Sequence, residues 1–168
     1  MKKSTIFILV FVFNTSFLCS QNLTMSQILE IKKKDLGNVE EYLTFKGWEY
    51  MEASEPTIDK LGVASFSYNK NDMSGKAQSF LTYIYDDYSD VKEIIIQVNN
   101  REKYTEYLTA IKGYGCKMIS SKVENENIVK IYRGATITFK VMTSVTKNDF
   151  NQNKAVWIFD IYSNEDFD

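Results

Sequence analysis

The stretch Glu41-Tyr42-Leu43-Thr44-Phe45-Lys46-Gly47-Trp48 is echoed by Glu106-Tyr107-Leu108-Thr109-Ala110-Ile111-Lys112-Gly113-Tyr114. Each copy reads as the end of a helix that hands the chain to a strand. A lysine occupies the last turn, where a cation suits the helix dipole. A glycine follows at the position that favours positive φ, so Gly47 and Gly113 are the expected C-terminal caps. An aromatic residue then opens the strand.

Working outward from the first copy, Thr24 and Gln27 fit a capping box, and Met25, Ile28, Leu29 and Ile31 form an apolar helical stripe. A helix from Met25 to about Lys34 follows. Gly37 and Asn38 interrupt it, and Val39, Tyr42, Leu43 and Phe45 resume helical spacing up to Gly47. Four strand-like runs come next: Trp48–Ser54, Val63–Asn69, Gln78–Tyr85 and Glu93–Val98. The links between them carry Pro56, Asp59, Asn69, Asn71, Asp72 and Gly75, then Asp86, Asp87, Ser89 and Asp90, residues that close turns.

The second copy has the same grammar. Asn99 and Asn100 can cap a helix whose Tyr104, Tyr107, Leu108 and Ile111 share a face. Cys116–Val123, Ile128–Tyr132, Thr136–Ser144 and Val156–Tyr162 read as strands, with Arg133-Gly134 as a two-residue hairpin turn and a polar hairpin loop between Val145 and Lys154. The acidic tail from Asn164 to Asp168 is expected to fray. The chain therefore divides into residues 1–20, a first helix-plus-four-strand unit at 21–98 and a second at 99–168, the two units building one compact domain. The fold expected is α+β: one antiparallel sheet of seven or eight strands with helices on one face, arising from a tandem repeat.

This tandem order, in an exported chain, resembles the architecture of the β-lactamase inhibitory protein and of small outer-membrane assembly lipoproteins. The phrase Tyr42-Leu43-x-x-Lys46-Gly47-Trp48 is also similar to one found in small exported bacterial proteins. The resemblance implies a shared sheet with helices on one side. It carries over no inhibitory residue, because the disulfides that staple the inhibitor's repeats have no counterpart here.

Residues 1–20 place Lys2 and Lys3 before an apolar run from Ile6 to Leu18 and end on the small Ser20, the order of a secretory signal peptide. The run is short of the roughly 20 residues that a membrane span needs and is broken by Asn14, Thr15 and Ser16. Cleavage near Ser20 would deliver the chain to the periplasm or the medium with no integral span. A lipid anchor on Cys19 fits less well, since Leu18 stands where a small residue belongs. Without Lys2 and Lys3 the 20 basic residues become 18 against 22 acidic, a formal net charge of −4. That field attracts neither nucleic acid nor an anionic membrane surface. The remaining cysteine, Cys116, has no disulfide partner and reads as a small core residue.

The chain has no histidine, which removes the commonest general base and most zinc sites. It carries no glycine-rich phosphate loop and no paired-cysteine motif. Asp86, Asp87 and Asp90 cluster within five residues, but their spacing is not that of a calcium loop and a solvated turn accounts for them. No cofactor or metal is expected. The aromatic surplus in the strands is more informative. Tyr83, Tyr85, Tyr132, Trp157 and Phe159 are the candidate binding residues, if they lie on the sheet face that the helices leave open. Their alternative is burial in the core. The function expected is non-catalytic binding of a protein or envelope component through that open face. The alternative is a small hydrolase or ligand carrier working with carboxylates, tyrosine and lysine in a closed pocket.

Overall fold

A computed structural model describes residues 22–147 and 151–167. The segment 1–20, read as an export signal, lies outside the described residues. So do residues 148–150 of the last hairpin and Asp168.

Helix α1 (Met25–Ile31) opens on a complete capping box: Thr24 Oγ1 accepts from the Gln27 amide at 3.2 Å, and Gln27 Oε1 accepts from the Thr24 amide at 2.8 Å. It buries Met25, Ile28 and Ile31 and stops at Lys32. Helix α2 (Leu36–Phe45) starts from Asp35, whose carboxylate accepts from the Asn38 amide at 2.9 Å. The break between the helices is thus at 32–35. Gly37 and Asn38 belong to the first turn of α2, because a carboxylate cap at Asp35 outweighs the poor helix propensity of the two residues after Leu36. Gly47, at φ +80°, turns the chain out of α2.

Strands β1 (Trp48–Ser54), β2 (Gly62–Tyr68), β3 (Ser79–Tyr85) and β4 (Lys92–Val98) follow in a meander. Helix α3 (Arg101–Gly113) is capped by Asn100, whose side chain accepts from the Lys103 amide at 2.9 Å. It runs straight through Gly113. Tyr114 is the C-cap, and the positive-φ residue is Gly115, at +78°. The structural counterpart of Lys46-Gly47-Trp48 is therefore Tyr114-Gly115-Cys116, in which the buried Cys116 takes the place of Trp48. The extra helical length keeps Tyr107 and Ile111, both fully buried, on the core side.

Strands β5 (Lys117–Glu124), β6 (Asn127–Arg133), β7 (Ile137–Lys147) and β8 (Asn153–Ser163) complete the sheet. The two-residue hairpin turn is Asn125-Glu126, both at positive φ, between β5 and β6. Gly134 begins a three-residue link instead, with its amide donating to the Ile137 carbonyl at 2.9 Å. Helix α4 (Asn164–Phe167) corrects the frayed tail: the Asn164 carboxamide accepts from the Thr138 hydroxyl at 2.7 Å and donates to the carbonyls of Gly134 and Ala135. Phe167 lies edge-on to Tyr162, with ring centroids 5.5 Å apart.

All eight strands form one antiparallel sheet in the order β1-β2-β3-β4-β8-β7-β6-β5. The two meanders meet at β4 and β8, where Ile94 faces Ile161 and Val98 faces Trp157. The outer strands β1 and β5 each carry an irregularity, between Tyr50 and Glu52 and between Met118 and Ser120, which interrupts the regular edge. One sheet face, carrying Ala64, Phe66, Leu81, Tyr83, Ile94, Ile96, Phe139, Val141, Phe159 and Ile161, packs with Leu23, Ile28, Ile31, Val39, Leu43, Tyr107 and Ile111 of the helical layer into a single core. Among the described residues no helix is long and apolar enough to cross a membrane.

Candidate functional site

The five aromatic residues singled out in the sequence all lie on the helix-covered face. Tyr83 is fully buried, and its hydroxyl donates to the Lys34 carbonyl at 2.7 Å, tying β3 to the end of α1. Burial pushes that phenol up to about 12. Tyr85, partly buried, stacks on Tyr83 at 5.8 Å. Phe159 is fully buried and meets the edge of Tyr107 at 5.3 Å, while Trp157 lies under Tyr104 of α3. Tyr132 is 4% exposed and belongs to the same core. These residues hold the helices to the sheet, and their expected place on an open face is corrected by the strand register. In an antiparallel sheet one position separates the two faces.

The opposite face carries the alternate residues. Reading across the register from β2 to β6, one row is Val63, Ile84, Glu93, Tyr162, Thr138 and Arg133. The next is Ser65, Thr82, Ile95, Asp160, Lys140 and Ile131. The third is Ser67, Phe80, Gln97, Ile158, Met142 and Val129. Val129, Ile131 and Val156 are buried, yet they stand outside the core cluster that the helices share. Among the described residues the helical side chains recorded against this face are those of α4, Phe167 at Tyr162 and Asn164 at Thr138.

A polar group sits in the middle of this surface, on the strands where the two halves meet. Asp160 is 9% exposed, and the ammonium of Lys140 lies 3.5 Å from its Oδ2. The Tyr162 hydroxyl is 3.4 Å from the same oxygen and also hydrogen-bonds Glu93. Burial raises the Asp160 and Glu93 carboxyls above their ordinary values; Lys140 and the phenol pull both back, while the charge of Asp160 raises Glu93 further. Burial and the two adjoining carboxylates push the Tyr162 phenol strongly upward. Glu93, Lys140, Asp160 and Tyr162 belong to no motif recognised in the sequence. A signal was present: Asp160 is the single charge inside Val156-Trp157-Ile158-Phe159-Asp160-Ile161-Tyr162.

Two clefts open at the sheet's ends. Thr57–Leu61, Asp86 and Tyr88 line about 500 Å³ between hairpin loops, where Ile58 is 94% exposed. Asp86 is held there as a turn, accepting from the Tyr88 amide and the Ser89 hydroxyl, which lowers its carboxyl. Leu29, Lys32, Lys33, Lys92, Thr136 and Ser163 help line a second cleft of about 430 Å³, beside which the Lys32 ammonium donates to the Lys92 carbonyl and pairs with Asp166 at 4.0 Å. Neither cleft contains the Glu93 and Asp160 group. Among the described residues no group of three or more acidic or cysteine side chains is placed to hold a metal ion. No protein-family model, curated protein or solved structure matches the chain.

Proposed function

We propose that the protein is a non-catalytic binding protein, exported by its N-terminal segment, that recognises a protein or envelope component through the sheet face opposite the helices. The observation that carries this reading is a patch of partly exposed apolar side chains, Ile84, Phe80, Ile95, Ile158 and Met142, standing on the alternate register from the core and apart from it. Contiguous apolar side chains left partly open to solvent are the mark of an interaction site. The test is a photo-crosslinking side chain placed at Gln97 on that face or at the exposed Glu102 on α3, with the protein in its own cell envelope. A discrete crosslinked species from Gln97 and none from Glu102 is expected. The same species from both positions, or none from Gln97, overturns the reading.

The competing reading, a carboxylate, tyrosine and lysine hydrolase or carrier, is favoured by one observation, the raised carboxyls of Glu93 and Asp160 beside Tyr162. Its weakness is geometric, since the group lies on a sheet surface and not in either of the clefts described above. Turnover of a model ester or glycoside that disappears in Glu93→Gln would establish it over binding.

A further inference from the structure

We propose that the open sheet face receives an arginine side chain of a protein partner, its guanidinium seated on Glu93 and Asp160 and its stem lying along Ile95 and Ile158; this rests on reading that face as the binding surface. Asp160 on β8 faces Ile95, and one position beyond the Ile94–Ile161 pair Glu93 meets the Tyr162 hydroxyl, so the two carboxylates are diagonal neighbours across the central strand pair. Such neighbours stand roughly 7–8 Å apart at Cα, within the span of one planar, five-donor fork.

The site is short of donors. Two carboxylates offer about eight lone-pair positions. Against them stand one ammonium, Lys140 on Asp160, and one phenol proton, Tyr162, which serves one carboxylate at a time. Lys32 acts on Glu93 only through its field, because its ammonium donates to the Lys92 carbonyl and pairs with Asp166. Arg133 is two strands away from Glu93's partner strand position, beyond Thr138, and has an interaction of its own. Among the described residues Glu93 therefore has no cation at salt-bridge distance. A half-buried carboxylate in this state gains most from a charge-assisted donor. Arginine suits the place better than lysine: the guanidinium is weakly hydrated, matches carboxylates in pairs, and its stem can lie on the isoleucines. The net charge of the carboxylates and Lys140 is −1, and the partner's charge complements it.

The experiment titrates the ¹⁵N-labelled protein with the blocked tripeptide acetyl-Ile-Arg-Ile-amide and with the same peptide carrying citrulline, which keeps the shape and loses the charge. Saturable shifts of the Ile95, Gln97, Ile158 and Asp160 amides are expected with arginine, at least tenfold weaker binding with citrulline, and at least tenfold weaker arginine binding in Glu93→Gln. Asp160→Asn is the second variant; if it perturbs the fold by freeing Lys140, Glu93→Gln on the neighbouring strand still decides. Equal binding of the two peptides, or unchanged binding in Glu93→Gln, overturns the arginine site while leaving an apolar recognition face in place. Shifts with neither peptide also overturn it, and the face itself then stands or falls on the crosslinking at Gln97.

Discussion

Tyr104 on α3 lies flat on Trp157 of β8, with ring centroids 4.9 Å apart and planes 18° from parallel. The stack sits over the junction of the two meanders, one position along the face from Phe159, which Tyr104 also touches at 6.0 Å. Removing either sheet residue should loosen α3. Phe159→Ala, at a fully buried position, is expected to cost about 3–5 kcal/mol, and Trp157→Ala a value near the lower end of that range because the indole is only partly buried. Urea unfolding followed by circular dichroism measures both. A loss under 1 kcal/mol at Phe159 would contradict its place in the core.

Gly113 and Gly115 should respond in opposite directions to alanine. Gly113 ends α3 in helical geometry, and a Cβ there would meet nothing within 4 Å. Gly113→Ala is expected to stabilise by about 0.5–1 kcal/mol. Gly115 has equally open surroundings but sits at φ +78°. Gly115→Ala is expected to destabilise by about 1–2 kcal/mol. Thermal unfolding of the two variants, side by side, reads the sign directly.

The contrast between those glycines shows how far the sequence was legible. The eight strands and two of the helix starts were readable because alternation and capping are local: Thr24 and Asn100 each satisfy the amide three residues on, as does Asp35, whose cap was hidden by the Gly37-Asn38 pair behind it. The repeated Lys-Gly phrase pointed to Gly113 because letters were matched in place of helix length, which the buried Tyr107 and Ile111 decide through contacts distant in sequence. The site was misplaced for a related reason. In Val156–Tyr162 both alternate sets are apolar or aromatic apart from Asp160, so periodicity leaves that one charge as the sole hint of which face the helices take. Only the register of β8 against β4 puts Trp157, Phe159 and Ile161 on the core face and leaves Ile158, Asp160 and Tyr162 on the other side.

High pH should weaken the fold through Tyr83. Its phenol is raised from an ordinary 10.0 to about 12, chiefly by burial. Between those values the unfolded chain releases the proton and the native chain retains it, so the stabilisation is present below pH 10 and is lost as pH rises toward 12. Tyr83→Phe removes both this dependence and the hydrogen bond to the Lys34 carbonyl. The variant should be about 0.5–1.5 kcal/mol less stable at pH 7. The difference should shrink above pH 10, as chemical denaturation at pH 7, 10 and 11 would show.

Glu93 should make the protein less stable as the medium passes from acid to neutral. Its carboxyl is raised above the ordinary 4.5, first by burial and also by the charge of Asp160, against the Tyr162 hydrogen bond and the fields of Lys140 and Lys32. A raised carboxyl means that the folded chain holds its proton at a pH where the unfolded chain has released it. The contribution is therefore present in full below pH 4.5 and declines as pH rises through the folded value. Glu93→Gln abolishes the titration and keeps the shape. Relative to the parent chain, the variant should gain stability between pH 4 and pH 7, measured as the difference between two denaturation curves at each pH. Asp160 provides the internal control: its carboxyl is also raised by burial, but it carries the Lys140 ion pair at 3.5 Å. Asp160→Asn strands that ammonium, which offsets what removing the raised carboxyl returns, so its gain at pH 7 should be smaller than that of Glu93→Gln. Equal behaviour of the two variants would mean that Lys140 serves both carboxylates alike, and that Glu93 is not the underpaired member of the group.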